Sequence, residues 1–192
     1  MTEKQLNILF INNNYALIPN FHSICAEIIK NGHEVHVMYK NHNTNNEDIN
    51  ELKNIPYIYL QEIPVLKQKL LSNINLLWNI RQYLQKHDDI NTISCVSIDN
   101  ILSNYLIKKI FKKPLINLIN LSELKKFSKR SLHNNILTTS KTGKCILFVS
   151  SYEKKQVSAH PSFQNIKLDS ITTSLKPENI AGKLISLFQI KD

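Results

Sequence analysis

Apolar and polar positions alternate along this chain with two periods, one of strands and one of helices. An apolar run, Ile8-Leu9-Phe10-Ile11, stops at three asparagines, Asn12 to Asn14. Phe21, Ile24, Cys25, Ile28 and Ile29 then recur at helical spacing and predict a helix from about Pro19 to Asn31. Pro19 suits a first helical turn, where its missing N–H would be unpaired anyway. Gly32 is placed to take the left-handed position that ends a helix. A second β-rich run, His33 to Val37, follows.

The same alternation predicts the rest of the chain. Lys40 to Glu51 is polar and asparagine-rich, a surface loop leading into a short helix. Ile55–Leu60, Asp89–Ser97, Pro114–Asn120 and Lys144–Ser150 read as strands, with a seventh near Ile166–Thr172. Lys144–Ser150 is apolar on both faces, which predicts a central strand. The longest helical pattern is Pro64–Lys86, with a stripe of Leu66, Leu70, Ile74, Leu77 and Leu84, widened by Leu71, Trp78 and Ile80. Further helices are expected at Asp99–Phe111, Ser122–Leu132, Tyr152–Ala159 and Pro177–Phe188. The economical solution is an α/β fold: a single doubly wound, mostly parallel Rossmann-like sheet of about six strands with helices on both faces, forming one domain over residues 1–192.

Composition narrows the setting. With 192 residues and 42% apolar content, the chain can bury one proper core. No run approaches the roughly 20 apolar residues of a membrane span. The start, Met-Thr-Glu-Lys-Gln-Leu, lacks the basic and then apolar order of a signal peptide, so a cytoplasmic place is expected. Cys25, Cys95 and Cys145 are far apart in apolar settings and read as reduced core thiols. The net charge of +9 would suit nucleic acid, an anionic membrane or a phosphorylated metabolite. Only three glycines beside abundant Asn, Ile and Lys also fit an AT-rich genome.

The candidate chemistry is sparse. There is no G-x-G-x-x-G and no G-x-x-x-x-G-K-[ST], so no cofactor is expected. Ser150-Ser151 lacks the G-x-S-x-G surround of a hydrolase elbow. His33 and His36 read as structural or surface histidines, and no metal is expected. Asn12, Asn13, Asn14 and Tyr15 stand where strand one should open onto a ligand. Asparagines there also make ordinary strand-end turns, because they bond nearby backbone. Lys108, Lys109, Lys112, Lys113, Lys125, Lys126, Lys129 and Arg130 make both flanks of strand five basic. They form a solvated face or an anion patch for a membrane, each contributing on the order of 1 kcal/mol near an anionic leaflet. Such a patch would hold the chain peripherally at the inner face of a membrane. Nucleic acid fits less well, because aromatic residues do not interleave with the charges. The Leu66–Lys86 helix, with Lys67, Lys69, Trp78 and Arg81 around its apolar face, also suits a bilayer surface.

In this order the motifs resemble the N-terminal half of GT-B glycosyltransferases. Lys30-Asn-Gly-His-Glu-Val-His-Val resembles that family's K-x-G-H-E-V after the first helix. Leu76–Ser97 resembles its long helix and following strand, and Lys113-Pro114-Leu-Ile-Asn its "kP" strand. Cys145–Lys155 resembles the strand ending "VS-x-y-x-k-k". The resemblance implies an acceptor-side half whose ligand groups are Asn12, Asn13, Asn14, Tyr15, Asn120, Ser150 and Ser151. The family's glycine-rich first loop is replaced here by asparagines, and Asn120 stands where many members have histidine. A donor-binding C-terminal half has no room in 192 residues. The implied function is therefore a glycosyltransferase-like half, incomplete or degenerate, that needs a donor-binding partner chain.

A second resemblance is to a response-regulator receiver. Ile8–Asn14 resembles the receiver strand that ends in acidic metal ligands, with amides in place of the acids. Ser150-Ser151 matches the switch hydroxyl and Lys176-Pro177 the ending. That resemblance implies a binding module without a phosphoacceptor, on five parallel strands ordered 2-1-3-4-5. The glycosyltransferase half implies six or seven.

Overall fold

β1 (Asn7–Asn12) is buried along nearly its whole length, as its unbroken apolar run requires of an interior parallel strand. The structure, a computed structural model, describes residues 5–12, 18, 20–40, 47–64, 69–96, 101–120, 144–150 and 168–189. In chain order the elements are β1, α1 (Phe21–Lys30), β2 (Glu34–Lys40), α2 (Glu47–Lys53), β3 (Ile58–Ile63), α3 (Lys69–Lys86), β4 (Thr92–Val96), α4 (Ile101–Phe111), β5 (Leu115–Asn120), β6 (Lys144–Val149), β7 (Leu168–Thr172) and α5 (Pro177–Gln189). The expected helices at Ser122–Leu132 and Tyr152–Ala159 lie outside the described residues.

All seven strands join one parallel sheet in the order β3-β2-β1-β4-β5-β6-β7. The sheet is an α/β Rossmann-like arrangement with one strand more than the expected six. The five-stranded order of a receiver is not what forms. β6 is next to the edge, and β4 takes the centre. An apolar run does not by itself set a strand's position within the sheet.

Two cores lie against the two faces. On one, Ile8, Phe10, Val35 and Val37 of the sheet meet α1, α2 and α5. The Phe10 and Phe21 rings meet edge to face, with centroids 5.2 Å apart. α5 returns across this face to place Phe188 6.4 Å from the Phe10 ring, so the last described helix closes the sheet over its first strand. On the other face, Leu9, Ile11, Met38, Ile93 and Cys95 meet α3 and α4. Cys25 and Cys95 are buried free thiols, as expected. Burial pushes both up, Cys95 to about 12.

Gly32 does close α1. At φ +83° its N–H reaches the Ile29 carbonyl, and the next N–H, of His33, reaches Ile28. The start of α1 differs, with Asn20 as a left-handed N-cap at φ 59°.

The stripe expected on α3 is buried only in part: Ile80 and Leu84 are in the core and Leu77 packs against it, whereas Ile74 is exposed. Asn73, Leu76, Ile80, Tyr83 and Leu84 face the sheet, while Leu71, Ile74 and Trp78 are exposed. Apolar residues occur on more than one side of this helix, so spacing alone did not select the face that docks. Among the described residues, no helix is long and apolar enough to cross a membrane.

Candidate functional site

The sheet opens at its carboxyl end between β1 and β4. From β1 the chain steps outward through β2 to β3, and then crosses back to the other side of β1. In doubly wound sheets such a switch point is where ligands commonly bind, beyond the carboxyl ends of the strands; the residues that directly follow β1 and β4 lie outside the described residues. Asn12 ends β1 there, opposite Tyr39 on one side and Val96 on the other. It is 3% exposed, a buried amide at the mouth. The neighbouring rim is polar. Lys40, at the end of β2, donates from Nζ to Ser72 Oγ at 2.9 Å, and burial lowers its pKa. Burial and then the Glu62 charge raise the pKa of Tyr39.

The other expected ligand groups do not converge on Asn12. Val96 pairs with Leu118, so Asn120 lies two strands from Asn12 and two residues further along, opposite Phe148. Ser150, half-buried, follows β6, a third strand away and about 14 Å across the sheet from β1. These positions are spread along the carboxyl edge of the sheet. Asn13, Asn14, Tyr15 and Ser151 lie outside the described residues, as do Lys125, Lys126, Lys129 and Arg130 of the expected anion patch.

Lys112 and Lys113 stand at the opposite, amino end of the sheet. Lys112 is exposed and left-handed, with φ 52°. Lys113 donates to the Ile90 carbonyl and reaches that of Asp88 at 3.5 Å. It ties the start of β5 to the entry of β4 instead of facing solvent as a free cation.

The amino end also holds a constellation that the sequence pattern did not reveal. His36, 1% exposed on β2, is stacked on Tyr59 of β3, with centroids 4.5 Å and planes 12° apart. Its Nδ1 lies 3.0 Å from the Tyr83 hydroxyl of α3. His87, just past α3, brings its ring within 5.1 Å. Glu34, two residues before His36 and so on the same side of β2, places Oε2 3.7 Å from His36 Nε2. Asp89 accepts a 2.6 Å hydrogen bond from Asn7 Nδ2.

The electrostatics of this cluster follow from crowding. Burial, then the charge of His87, lowers the His36 pKa to about 4, so the ring is neutral at pH 7. Burial raises the Glu34 pKa, and the adjacent Asp89 carboxyl raises it further. At Asp89 burial also pushes upward, but hydrogen bonds from Asn7 and Glu34 outweigh it and the net shift is down. The two neighbouring carboxyls thus shift in opposite directions. His33, by contrast, is structural as expected: its Nδ1 accepts the Leu6 N–H at 3.3 Å.

A solved chain of sucrose-phosphate synthase from Thermosynechococcus elongatus is similar over 95% of this chain and 98% of its own length, with a TM-score of 0.65 and 10% identity. The fold is that of a GT-B-like glycosyltransferase half. HepE of Anabaena, solved in complex with UDP, aligns over 95% of this chain with a TM-score of 0.51 and 13% identity. The chain spans about half the length of HepE, 50%. TubZ of Clostridium botulinum phage c-st aligns over 94% of this chain and 58% of its own, at 12% identity, but its TM-score of 0.46 carries no argument. No family model matches the chain, and no curated protein matches it significantly in sequence. At these identities the likeness is one of fold, and fold alone does not assign an activity.

Proposed function

We propose that this chain is the acceptor-side half of a GT-B-like glycosyltransferase, not active alone, which works with a donor-binding partner. The observation that carries this reading is the seven-stranded 3-2-1-4-5-6-7 sheet, which superposes on nearly the whole of a sucrose-phosphate synthase chain. Transfer of a sugar needs a positioned acceptor hydroxyl and a stabilised departing diphosphate. The carboxyl rim offers amide, phenol and ammonium groups for the first task at Asn12, Tyr39 and Lys40. Asn120 and Ser150 would extend the same rim.

The test is to incubate the pure protein with a panel of nucleotide sugars, UDP-sugars first, and to follow binding and hydrolysis. No tight binding is expected from the isolated monomer. Tight binding or turnover would overturn the half-enzyme reading. Adding a donor-binding subunit should restore transfer, with Asn12→Ala weakening the acceptor KM more than the donor KM.

A second reading, peripheral attachment to an anionic membrane, is favoured by α3. Leu71, Ile74 and Trp78 are 48%, 56% and 58% exposed and follow helical spacing along one side. Sedimentation with anionic vesicles should be salt-sensitive. It should weaken on Trp78→Ala and on charge reversal at Lys125, Lys126, Lys129 and Arg130. Equal binding to neutral vesicles would count against it.

A further inference from the structure

The geometry points to a binding site for one divalent cation of the zinc class at the amino end of the sheet, held by the Glu34 and Asp89 carboxylates and by His36 Nε2. These three ligand groups place donor atoms within 4.8 Å of one another. Two ligands about 2.1 Å from one tetrahedral ion stand roughly 3.4 Å apart. The 3.7 Å between Glu34 Oε2 and His36 Nε2 is already near that separation. A small inward movement of Asp89, which is exposed, would complete three corners and leave the fourth to water.

The independent observation is His36 Nε2 itself. The side chain is 1% exposed, yet this nitrogen is buried with no hydrogen-bond partner. A buried polar atom without a partner costs on the order of 1–3 kcal/mol, and a metal ion would remove that cost. The other ring nitrogen is held as metal-bound histidines are held. With Nδ1–H donating to the Tyr83 hydroxyl, Nε2 carries the lone pair and points at Glu34. Asn7 Nδ2 orients the Asp89 carboxylate in the same way. Stacking on Tyr59 fixes the imidazole plane.

The two carboxyls supply the charge argument. Side by side, two negative carboxylates repel one another, and a cation between them relieves that repulsion. A dication would neutralise both and let both ionise. One imidazole nitrogen with two carboxylate oxygens is a borderline donor set that suits Zn²⁺ over the all-oxygen preference of Mg²⁺ and Ca²⁺. Glu34 and His36 come from β2, whereas Asp89 comes from the turn between α3 and β4, 53 residues after His36. An ion here would pin that turn to the sheet. This is the end opposite the carboxyl-end switch point, so the role is structural or regulatory, separate from any sugar transfer.

The experiment uses the full chain, stripped with EDTA and dialysed, then titrated with ZnCl₂ by calorimetry and with CoCl₂ by visible absorption. One equivalent of Zn²⁺ should bind and raise Tm, and Co²⁺ should give d–d bands of a low-coordinate N/O site. Glu34→Gln with Asp89→Asn keeps the volumes and hydrogen bonds while removing the anions, and should weaken binding by on the order of a hundredfold or more. Tyr83→Phe leaves the ligands in place and should weaken it roughly 10- to 100-fold. Circular dichroism confirms that each variant folds. Absence of stoichiometric binding by the wild-type chain would overturn the proposal. So would undiminished Zn²⁺ binding by the double variant, because the ion would then sit on other histidines. Preference for Mg²⁺ over Zn²⁺ would overturn the assignment of class.

Discussion

The two ends of the same parallel sheet carry polar groups for different reasons. At the carboxyl end, Asn12, Tyr39 and Lys40 end adjacent strands, and the reversal of strand order places them beside the switch point. Their position follows from connectivity. At the amino end, His36, Tyr59, Tyr83, Glu34 and Asp89 come from four separate segments and meet through packing. The carboxyl rim is spread over three strand spacings. The amino cluster is gathered within a few ångströms and suits a single ion. A doubly wound sheet sets the place of the first kind of cluster and leaves the second to particular side chains.

Breaking what both ends share should have the largest effect. Phe10 touches Phe21 and lies near Phe188 beneath β1, and it is fully buried. Phe10→Ala should cost about 3–5 kcal/mol in urea unfolding, enough to remove much of a typical domain's stability and to impair both ends together.

The next test separates the ends by pH. His36 in the folded chain has a pKa of about 4, against an ordinary value of 6.5. Between those values the unfolded chain binds a proton that the folded chain refuses. Stability is therefore fully present above pH 6.5 and is lost as pH falls toward 4, by on the order of 3 kcal/mol. The titratable groups around the ring are Glu34, Asp89, His87, Tyr83 and Tyr59. Metal-free His36→Phe should show a flatter stability profile than the metal-free wild type in that window. Equal slopes would show that the imidazole is not held neutral by burial.

A smaller effect is expected at Gly32, which feeds the chain into the amino end of β2. A Cβ there meets nothing within 4 Å, so Gly32→Ala tests only the cost of φ +83°. That cost should be roughly 1–2 kcal/mol, read as a shift in the denaturation midpoint. The smallest change is expected at the carboxyl rim. Lys40→Met removes the Lys40–Ser72 hydrogen bond and should cost about 1 kcal/mol or less, while leaving Zn²⁺ affinity at the other end unchanged.

The order and type of the described elements were legible from periodicity, because a strand buried on both faces must be apolar throughout and a docked helix must repeat near 3.6. Gly32 was legible because few residues adopt its backbone conformation cheaply. Boundaries moved where local signals were weak: β3 runs Ile58–Ile63, not Ile55–Leu60, and α3 begins at Lys69, not Pro64. The docking face of α3 was legible only in part, since Leu71, Ile74 and Trp78 are as apolar as the Leu76, Ile80 and Leu84 that the sheet covers. The place of β6 was misjudged for a related reason: an apolar run does not put a strand in the middle of the sheet.

Of the candidate sites, Asn12 was found by locating the end of β1, a local property. The amino-end cluster left only Glu34-x-His36 as a trace, a spacing too common on strands to be informative. The sequence pattern alone was enough to place β1, α1 and β2 as a strand–helix–strand unit with polar residues after β1. Only the tertiary structure decided that Asp89 and Tyr83 arrive beside His36, because that meeting depends on how α3 lies across the sheet. Short-range patterning sets the period of each element, whereas the angle and register at which elements dock emerge only when both faces are packed.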